Sequence, residues 1–165
     1  MSISRNVLAK YITPGITVFL ESGSRWGDTL IRAIECGAVR AIGCDNDPLY
    51  AGLAEAHLNE ACRNGNAHVF NQDSALFLEA EPTHPGKDIV VFLDAHSPTS
   101  SPVLRELQAI SEWEHKPRVI LIDDIRCMHE WGISIGNIHM RLGEMGYLLS
   151  KEDGIEPGDI LVASI

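Results

Sequence analysis

The sequence predicts an α/β fold: a doubly wound, mostly parallel sheet of seven strands that ends in a C-terminal antiparallel hairpin. Apolar runs of strand length alternate with segments of helical spacing from residue 16 to residue 123. Two runs, Asp88-Ile89-Val90-Val91-Phe92-Leu93 and Arg118-Val119-Ile120-Leu121-Ile122, are almost uninterrupted. That is how a strand reads when both faces of its sheet are covered, so these are expected at the centre. After Asp124 the alternation breaks, and two last runs flank the polar, glycine-containing segment from Lys151 to Gly158, the pattern of a hairpin.

The elements follow in order. Ile3, Val7, Leu8, Tyr11 and Ile12 recur at helical spacing over residues 3–12, and Pro14-Gly15 stops that helix. Then come strand 16–21, helix 28–36, strand 39–44, helix 48–63, strand 67–71, a short helix at 74–79, strand 88–94, helix 101–113 and strand 118–123. Beyond them lie a loop with His129, Trp131 and Gly132, a helix near 134–144, and the hairpin strands 147–150 and 159–163. No linker, internal repeat or low-complexity tract interrupts this pattern, so a single domain over 1–165 is expected.

At 165 residues and 45% hydrophobic content the chain can build one substantial core and is short for two. A formal net charge of −10 argues against broad contact with nucleic-acid phosphates or an anionic membrane surface, so neither is expected as a partner. Cys36, Cys44, Cys62 and Cys127 are scattered, with no histidine at zinc spacing; reduced, buried thiols and a cytoplasmic location are the expectation. The N-terminus lacks a signal-peptide core, and no apolar stretch approaches the roughly 20 residues of a membrane span.

The most informative stretch is Val18-Phe19-Leu20-Glu21-Ser22-Gly23-Ser24-Arg25-Trp26-Gly27-Asp28-Thr29. It reads as strand, glycine turn and helix start, and Asp28-Thr29 suits a first helical turn. Gly23 and Gly27 leave no side chain between backbone and ligand. The spacing E-x-G-x-x-x-G is neither the G-x-G-x-x-G of dinucleotide enzymes nor a P-loop, so a positively charged, phosphate-free cofactor is favoured. In a doubly wound sheet, ligands bind beyond the carboxyl ends of the strands, where strand order reverses. Acids stand there repeatedly: Glu21, Asp45, Asp94 and Asp123-Asp124 end strands, and Asp73 lies just past strand three. For one acid, helix capping is the plainer reading, and it is strong for Asp28, Asp47 and Asp73. Acids crowded on one rim, however, repel one another unless something cationic binds.

Asp45 follows the glycine turn at the roughly 20-residue spacing of a ribose-binding acid. Through E-S-G-S-R-W-G-D-T at the turn, G-C-D-N-D-P after strand two and N-Q-D-S after strand three, the whole chain resembles class I S-adenosylmethionine-dependent methyltransferases. The resemblance implies a Rossmann-like sheet with S-adenosyl-L-methionine as cofactor. It places Glu21, Gly23 and Gly27 at the methionine end, Asp45 on the ribose, and Asp73 with Ser74 at the adenine, with Ser24 and Asn46 also among the cofactor-binding positions. Arg25 and Trp26 depart from the small residues of that turn; they cover the cofactor or face solvent.

A second constellation joins Leu93-Asp94-Ala95-His96-Ser97-Pro98 to Ile122-Asp123-Asp124. Three carboxylates near one point suit a hard divalent cation such as Mg2+. The arrangement resembles metal-dependent O-methyltransferases of the catechol and macrocin types, with Asp94, Asp123 and Asp124 as metal ligands; Asp124 stands where the catechol type carries Asn. His96, one residue from Asp94, is either the base that takes a proton from a substrate hydroxyl or a capping or surface residue. His57, His68, His84 and His115 are expected on the surface, whereas His129 and His139 follow the acid pair and are candidates for the pocket border.

The implied activity is Mg2+-assisted methyl transfer to a hydroxyl of a small-molecule or glycan-like acceptor, with His96 or Asp94 removing the proton. Two alternatives stand beside it. One is a metal-independent N-, C- or protein methyltransferase with Asp123 and Asp124 as caps; the Asp-Pro-Pro-Tyr-like signature of amino-group methylation is absent. The other is a non-catalytic cofactor-binding module of the same fold. Few elements are left to cover a substrate, so a homodimer partner or a large acceptor is expected to complete the pocket.

Overall fold

The computed structural model describes residues 3–61, 65–80 and 88–165. Cys62, His84 and the last residues of the expected 48–63 helix lie outside that range. The sheet has seven strands: β1 (Thr17–Ser22), β2 (Arg40–Asp45), β3 (Ala67–Asn71), β4 (Asp88–Leu93), β5 (Val119–Ile122), β6 (Leu148–Glu152) and β7 (Ile160–Ser164). Their order is β3-β2-β1-β4-β5-β7-β6. β1 to β5 are parallel, β7 runs antiparallel against β5, and β6 closes the hairpin at the edge. The helices are α1 (Arg5–Tyr11), α2 (Asp28–Glu35), α3 (Pro48–Ala61), α4 (Ser74–Glu79), α5 (Val103–Ser111) and α6 (Ile135–Glu144). The predicted doubly wound sheet and its terminal hairpin are therefore both present.

Side chains along a strand alternate between faces, and the core divides accordingly. Phe19 of β1, Val90 and Phe92 of β4 and Leu121 of β5 pack with Leu8 of α1, Leu30 and Ala33 of α2 and Leu58 of α3. Val18 and Leu20, Val91 and Leu93, and Ile120 and Ile122 face the other way, against Leu107 and Ile110 of α5 and Ile138 and Leu142 of α6. With both faces covered, the near-continuous apolar runs are accounted for; truncating any of these leucines to alanine costs roughly 2–5 kcal/mol. None of the described helices is long and apolar enough to cross a membrane. Among the described cysteines only Cys44 is buried, while Cys36 and Cys127 are half-buried, which corrects the expectation of uniformly buried thiols.

At the amino ends of the central strands the charges are closed against one another. Arg118 donates from Nε to Oδ1 of Asp88 at 2.6 Å and from Nη2 to Oδ2 at 2.8 Å, and Thr17 Oγ1 donates to Oδ2 at 2.9 Å. Nη2 also donates to the carbonyl of Tyr11, tying α1 to the sheet. Strand order reverses between β1 and β4, and their carboxyl ends open the crevice in which such sheets bind ligands.

Candidate functional site

A cleft of about 930 Å³ opens at these carboxyl ends. The turn after β1 forms one wall. Gly23 sits at φ +76, and a Cβ there would stand 2.7 Å from both Cα of Ala95 and the carbonyl oxygen of Asp94. Only glycine allows the turn to lie against the end of β4 in this way. Glycine in β2 serves the same end, since a Cβ on Gly43 would collide with Ser24 Oγ. Gly27, also left-handed at φ +77, packs against Leu58 of α3, where a Cβ would meet Cγ at 3.3 Å. It is buried and absent from the cleft wall, so the cofactor contact expected of it is replaced by helix packing.

Glu21 is 2% exposed at the floor of the turn. Burial pushes its carboxyl up to about 8; the Thr29 and Ser24 hydroxyls pull the other way, and Asp28 and Asp45 push it further up. Glu21 Oε2 and Ser24 Oγ are buried without a well-aligned hydrogen-bond partner. Such atoms are costly unless a ligand supplies the missing donor or acceptor. Asp45 is fixed by two backbone N–H groups: Arg25 N–H donates to Oδ2 and Asp47 N–H to Oδ1, each at 2.9 Å. Each oxygen retains a lone pair for a hydroxyl. Asn46 is exposed on the rim beside it. Arg25 adopts φ +46, its guanidinium lies 5.8 Å from the Tyr50 ring centroid, and Trp26 meets that ring edge-on at 5.6 Å. Both residues line the cleft, so they belong to its wall.

Asp73 and Ser74 also line the cleft, but Asp73 is heavily engaged. Its Oδ1 caps α4 by accepting from Ala75 and Leu76 N–H at 3.1 and 3.2 Å, and Arg105 donates to both carboxyl oxygens. Burial opposes its charge, yet these partners outweigh it and hold the carboxyl below the usual range.

Past the end of β4, against which the glycine turn lies, oxygen and nitrogen atoms of Asp94, His96 and Asp124 lie within 4.8 Å of one another. His96 Nε2 is 3.4 Å from Asp124 Oδ2, and its ring stacks on Trp131 with centroids 5.0 Å apart and planes 19° apart. Asp124 is left-handed at φ +53, an uncommon conformation for a non-glycine residue. His129 and His139 do not line the cleft.

The three acids expected to hold Mg2+ fall into two overlapping groups, Asp94 with Asp124 and His96, and Asp123 with Asp124 and Asp159. Asp124 lines the cleft beside Asp94, whereas Asp123, 3% exposed, is absent from the cleft wall and brings its carboxylate to Asp124 and Asp159. There Arg126 pairs with both sides, its Nη2 2.9 Å from Asp124 Oδ1 and its Nη1 on Asp159 Oδ2. The third donor facing the cleft is thus an imidazole in place of a carboxylate, a set less oxygen-rich than the one expected for Mg2+.

The residues do fit S-adenosylmethionine. The orphaned Glu21 Oε2 calls for a hydrogen-bond partner, Asp45 offers two acceptors, and acids predominate in a cleft whose guanidinium groups are those of Arg25 and Arg105.

No protein-family model matches the chain, and no curated protein matches it in sequence. Solved structures do match in shape. A precorrin-6y C5,15-methyltransferase from Geobacter metallireducens aligns with TM-score 0.67 at 14% identity, over 96% of this chain and 86% of that one. Magnesium protoporphyrin IX methyltransferase from Synechocystis, with bound S-adenosylmethionine, aligns with TM-score 0.65 at 20% identity, over 96% and 76%. A candidate O-methyltransferase from Klebsiella pneumoniae gives TM-score 0.70 at 15% identity, over 99% and 81%. The chain has the class I methyltransferase fold. At these identities the likeness is one of architecture.

Three residues escaped the sequence reading. Glu106 of α5 is fully buried near the Ser22 and Ser74 hydroxyls, and burial pushes its carboxyl up to about 7 against them. It shares a helical face with Val103, Leu107 and Ile110, so an acid at a core position was the available signal. Arg126 and Asp159 are the others; nothing in their spacing announces that they meet.

Proposed function

We propose that the protein is an S-adenosylmethionine-dependent methyltransferase acting on a hydroxyl of a small-molecule or glycan-like acceptor. The observation that carries this reading is the His96–Asp124 pair, in the same cleft as a turn whose buried acid and fixed Asp45 suit the cofactor. S-adenosylmethionine supplies, when bound, an electrophilic methyl group on a sulfonium. Glu21 and Ser24 would hold its amino-acid end, Asp45 its ribose hydroxyls, and Ser74 would border the adenine. Asp73 serves mainly as cap and Arg105 partner, so its part there is to fix the wall.

His96 performs the proton step. With Nε2 directed at Asp124 Oδ2, Nδ1 is the nitrogen that takes the acceptor's proton, and the Asp124 carboxylate stabilises the imidazolium that forms. Asp94, beside both, helps to orient the hydroxyl. Ser97, Ser100 and Ser101 also line the cleft; Ser97 and Ser100 bond each other through their hydroxyls at 2.8 Å and Ser101 donates to the Ala95 carbonyl, so they make this border polar. Proton removal by His96 requires no Mg2+, so chelation is expected to leave turnover intact. The covering elements are small, and a second copy of the chain would complete the pocket.

Titration calorimetry tests the cofactor assignment. S-adenosylmethionine and its demethylated product should bind with affinity on the order of micromolar, about −8 kcal/mol, and Asp45→Ala should weaken both by roughly tenfold or more. Saturation absent at millimolar ligand on folded protein overturns the assignment. Methyl-labelled cofactor offered with sugar, catechol and polyketide hydroxyls then identifies the acceptor. If cofactor binds and no acceptor is methylated, the chain is a binding module.

A further inference from the structure

We propose that Arg126 is the built-in cation of the acids that follow β5. Its guanidinium occupies the place where the sequence pattern calls for a divalent metal, and it thereby positions Asp124 against His96. Carboxylate atoms of Asp123, Asp124 and Asp159 lie within 4.8 Å of one another, and Asp123 and Asp159 are each 3% exposed. Three acids so close and so poorly hydrated need positive charge among them. Arg126 brings it from within the chain. Nη2 meets Asp124 Oδ1 at 2.9 Å, Nη1 meets Asp159 Oδ2, and the Arg126 backbone N–H donates to Asp159 Oδ1 at 3.2 Å.

The backbone is shaped for this. Asp124 turns the chain through its left-handed conformation into the short 3₁₀ turn Ile125–Cys127, and Ile125 N–H donates to the carbonyl of Asp159 at 3.2 Å. The loop is thus pinned to the start of β7. The Asp124 carboxylate is divided, one oxygen for Arg126 and the other for His96 Nε2. A planar guanidinium fixes a carboxylate in direction as well as in charge. Arg126 is a positioning residue that acts on His96 through Asp124. A metal at these acids would compete for the same oxygens, so the two are mutually exclusive.

The test needs neither cofactor nor acceptor and stands even if the methyltransferase reading fails. Thermal unfolding in chelator and in millimolar Mg2+ or Mn2+ is compared with Mn2+ binding read from the loss of its free-ion paramagnetic resonance signal. Wild type should show equal melting temperatures and no bound Mn2+ at millimolar ion. Arg126→Gln should melt lower in chelator, regain most of that loss with either cation, and bind Mn2+ at least roughly tenfold more tightly than wild type. Arg126→Lys, which keeps a cation, should stay insensitive to metal. Adding Asp159→Asn to Arg126→Gln should abolish the acquired binding. An arginine that merely braces the loop would not produce metal affinity on removal. Sub-millimolar Mn2+ or Mg2+ binding by wild type that Asp124→Asn removes overturns the proposal. So does an Arg126→Gln protein that binds no cation, or one that is unfolded with and without metal.

Discussion

Asp88 opens β4 and Glu21 stands near the end of β1, the strand beside it, and the two acids meet opposite treatment. Asp88 is enclosed by Arg118 and Thr17; burial works against its charge, but the guanidinium and the hydroxyl outweigh it and keep the carboxyl below the usual range. Glu21 is buried more deeply and holds its proton to about 8, with Oε2 lacking a well-aligned partner. The amino ends of the sheet spend their charges on one another and so hold the strands in place. At the carboxyl ends Asp73 and Asp124 also meet arginines, but Glu21 keeps a buried oxygen without a well-aligned partner, a cost in stability that is tolerable where a ligand completes the bonding. This difference separates holding from binding in one sheet, and substitutions at the two ends should divide along it.

The largest expected effect lies at the open end. His96→Ala should lower turnover roughly 10² to 10⁴-fold on a confirmed acceptor while cofactor affinity holds. Arg118→Gln at the closed end should leave turnover per folded molecule unchanged. Equal turnover losses in steady-state assays of both variants would erase the distinction.

Gly23→Ala comes next. The left-handed backbone and the contact with Ala95 together predict roughly 2–5 kcal/mol of destabilisation in denaturant titrations, with loss of cofactor binding. Gly143, where a Cβ would meet nothing within 4 Å, is the control, and its alanine variant should be no less stable than wild type. A Gly23→Ala protein of wild-type stability that still binds cofactor would falsify the close-approach argument.

The pH dependence of the two ends should have opposite signs. Glu21 binds its proton more tightly in the folded state, at about 8, than in the unfolded chain, at about 4.3. Its contribution is therefore full below the unfolded value and is lost as pH rises towards 8. Glu106, at about 7, adds a loss of the same sign. The Asp88 contribution is present above the unfolded value of about 3.9 and disappears as pH falls through its lower folded value. Unfolding free energies measured across this range without cofactor should lose part of the alkaline slope in Glu21→Gln and part of the acid slope in Asp88→Asn. Identical profiles for the variants and wild type would contradict the assignment.

The smallest effect is the stability cost of Arg118→Gln, about 1–2 kcal/mol, because the pair is partly exposed. A cost near zero in chemical denaturation would show that packing alone closes that end.

The sheet was readable because its signals are local. Residues 88–93 and 118–122 are apolar in sequence because both of their faces are covered, and they fall within a residue of the observed strands. Glu21, Gly23 and Asp45 were legible for a similar reason, since each sits at a fixed offset from a strand end. The metal expectation turned on orientation, which spacing does not carry. Asp123 and Asp124 follow the last residue of β5 and keep their carboxylates close, yet Asp123 is buried beside Asp159 while Asp124 reaches the cleft. Gly27 matched the turn pattern, but its contact with Leu58 depends on how α3 packs, which no spacing records. Arg126 reaches Asp159 across 33 residues, a meeting made by the hairpin's place beside β5.

The stack of Trp131 on His96 gives the protein an internal optical probe. An excited indole passes an electron to an imidazolium far more readily than to a neutral imidazole, so Trp131 emission should dim as His96 gains a proton. The other two tryptophans sit in different surroundings, Trp113 buried with Nε1 bonded to the Leu78 carbonyl and Trp26 against Tyr50, and their replacement by phenylalanine leaves Trp131 as the reporter. The charge state of His96 can therefore be followed by light before any acceptor is known.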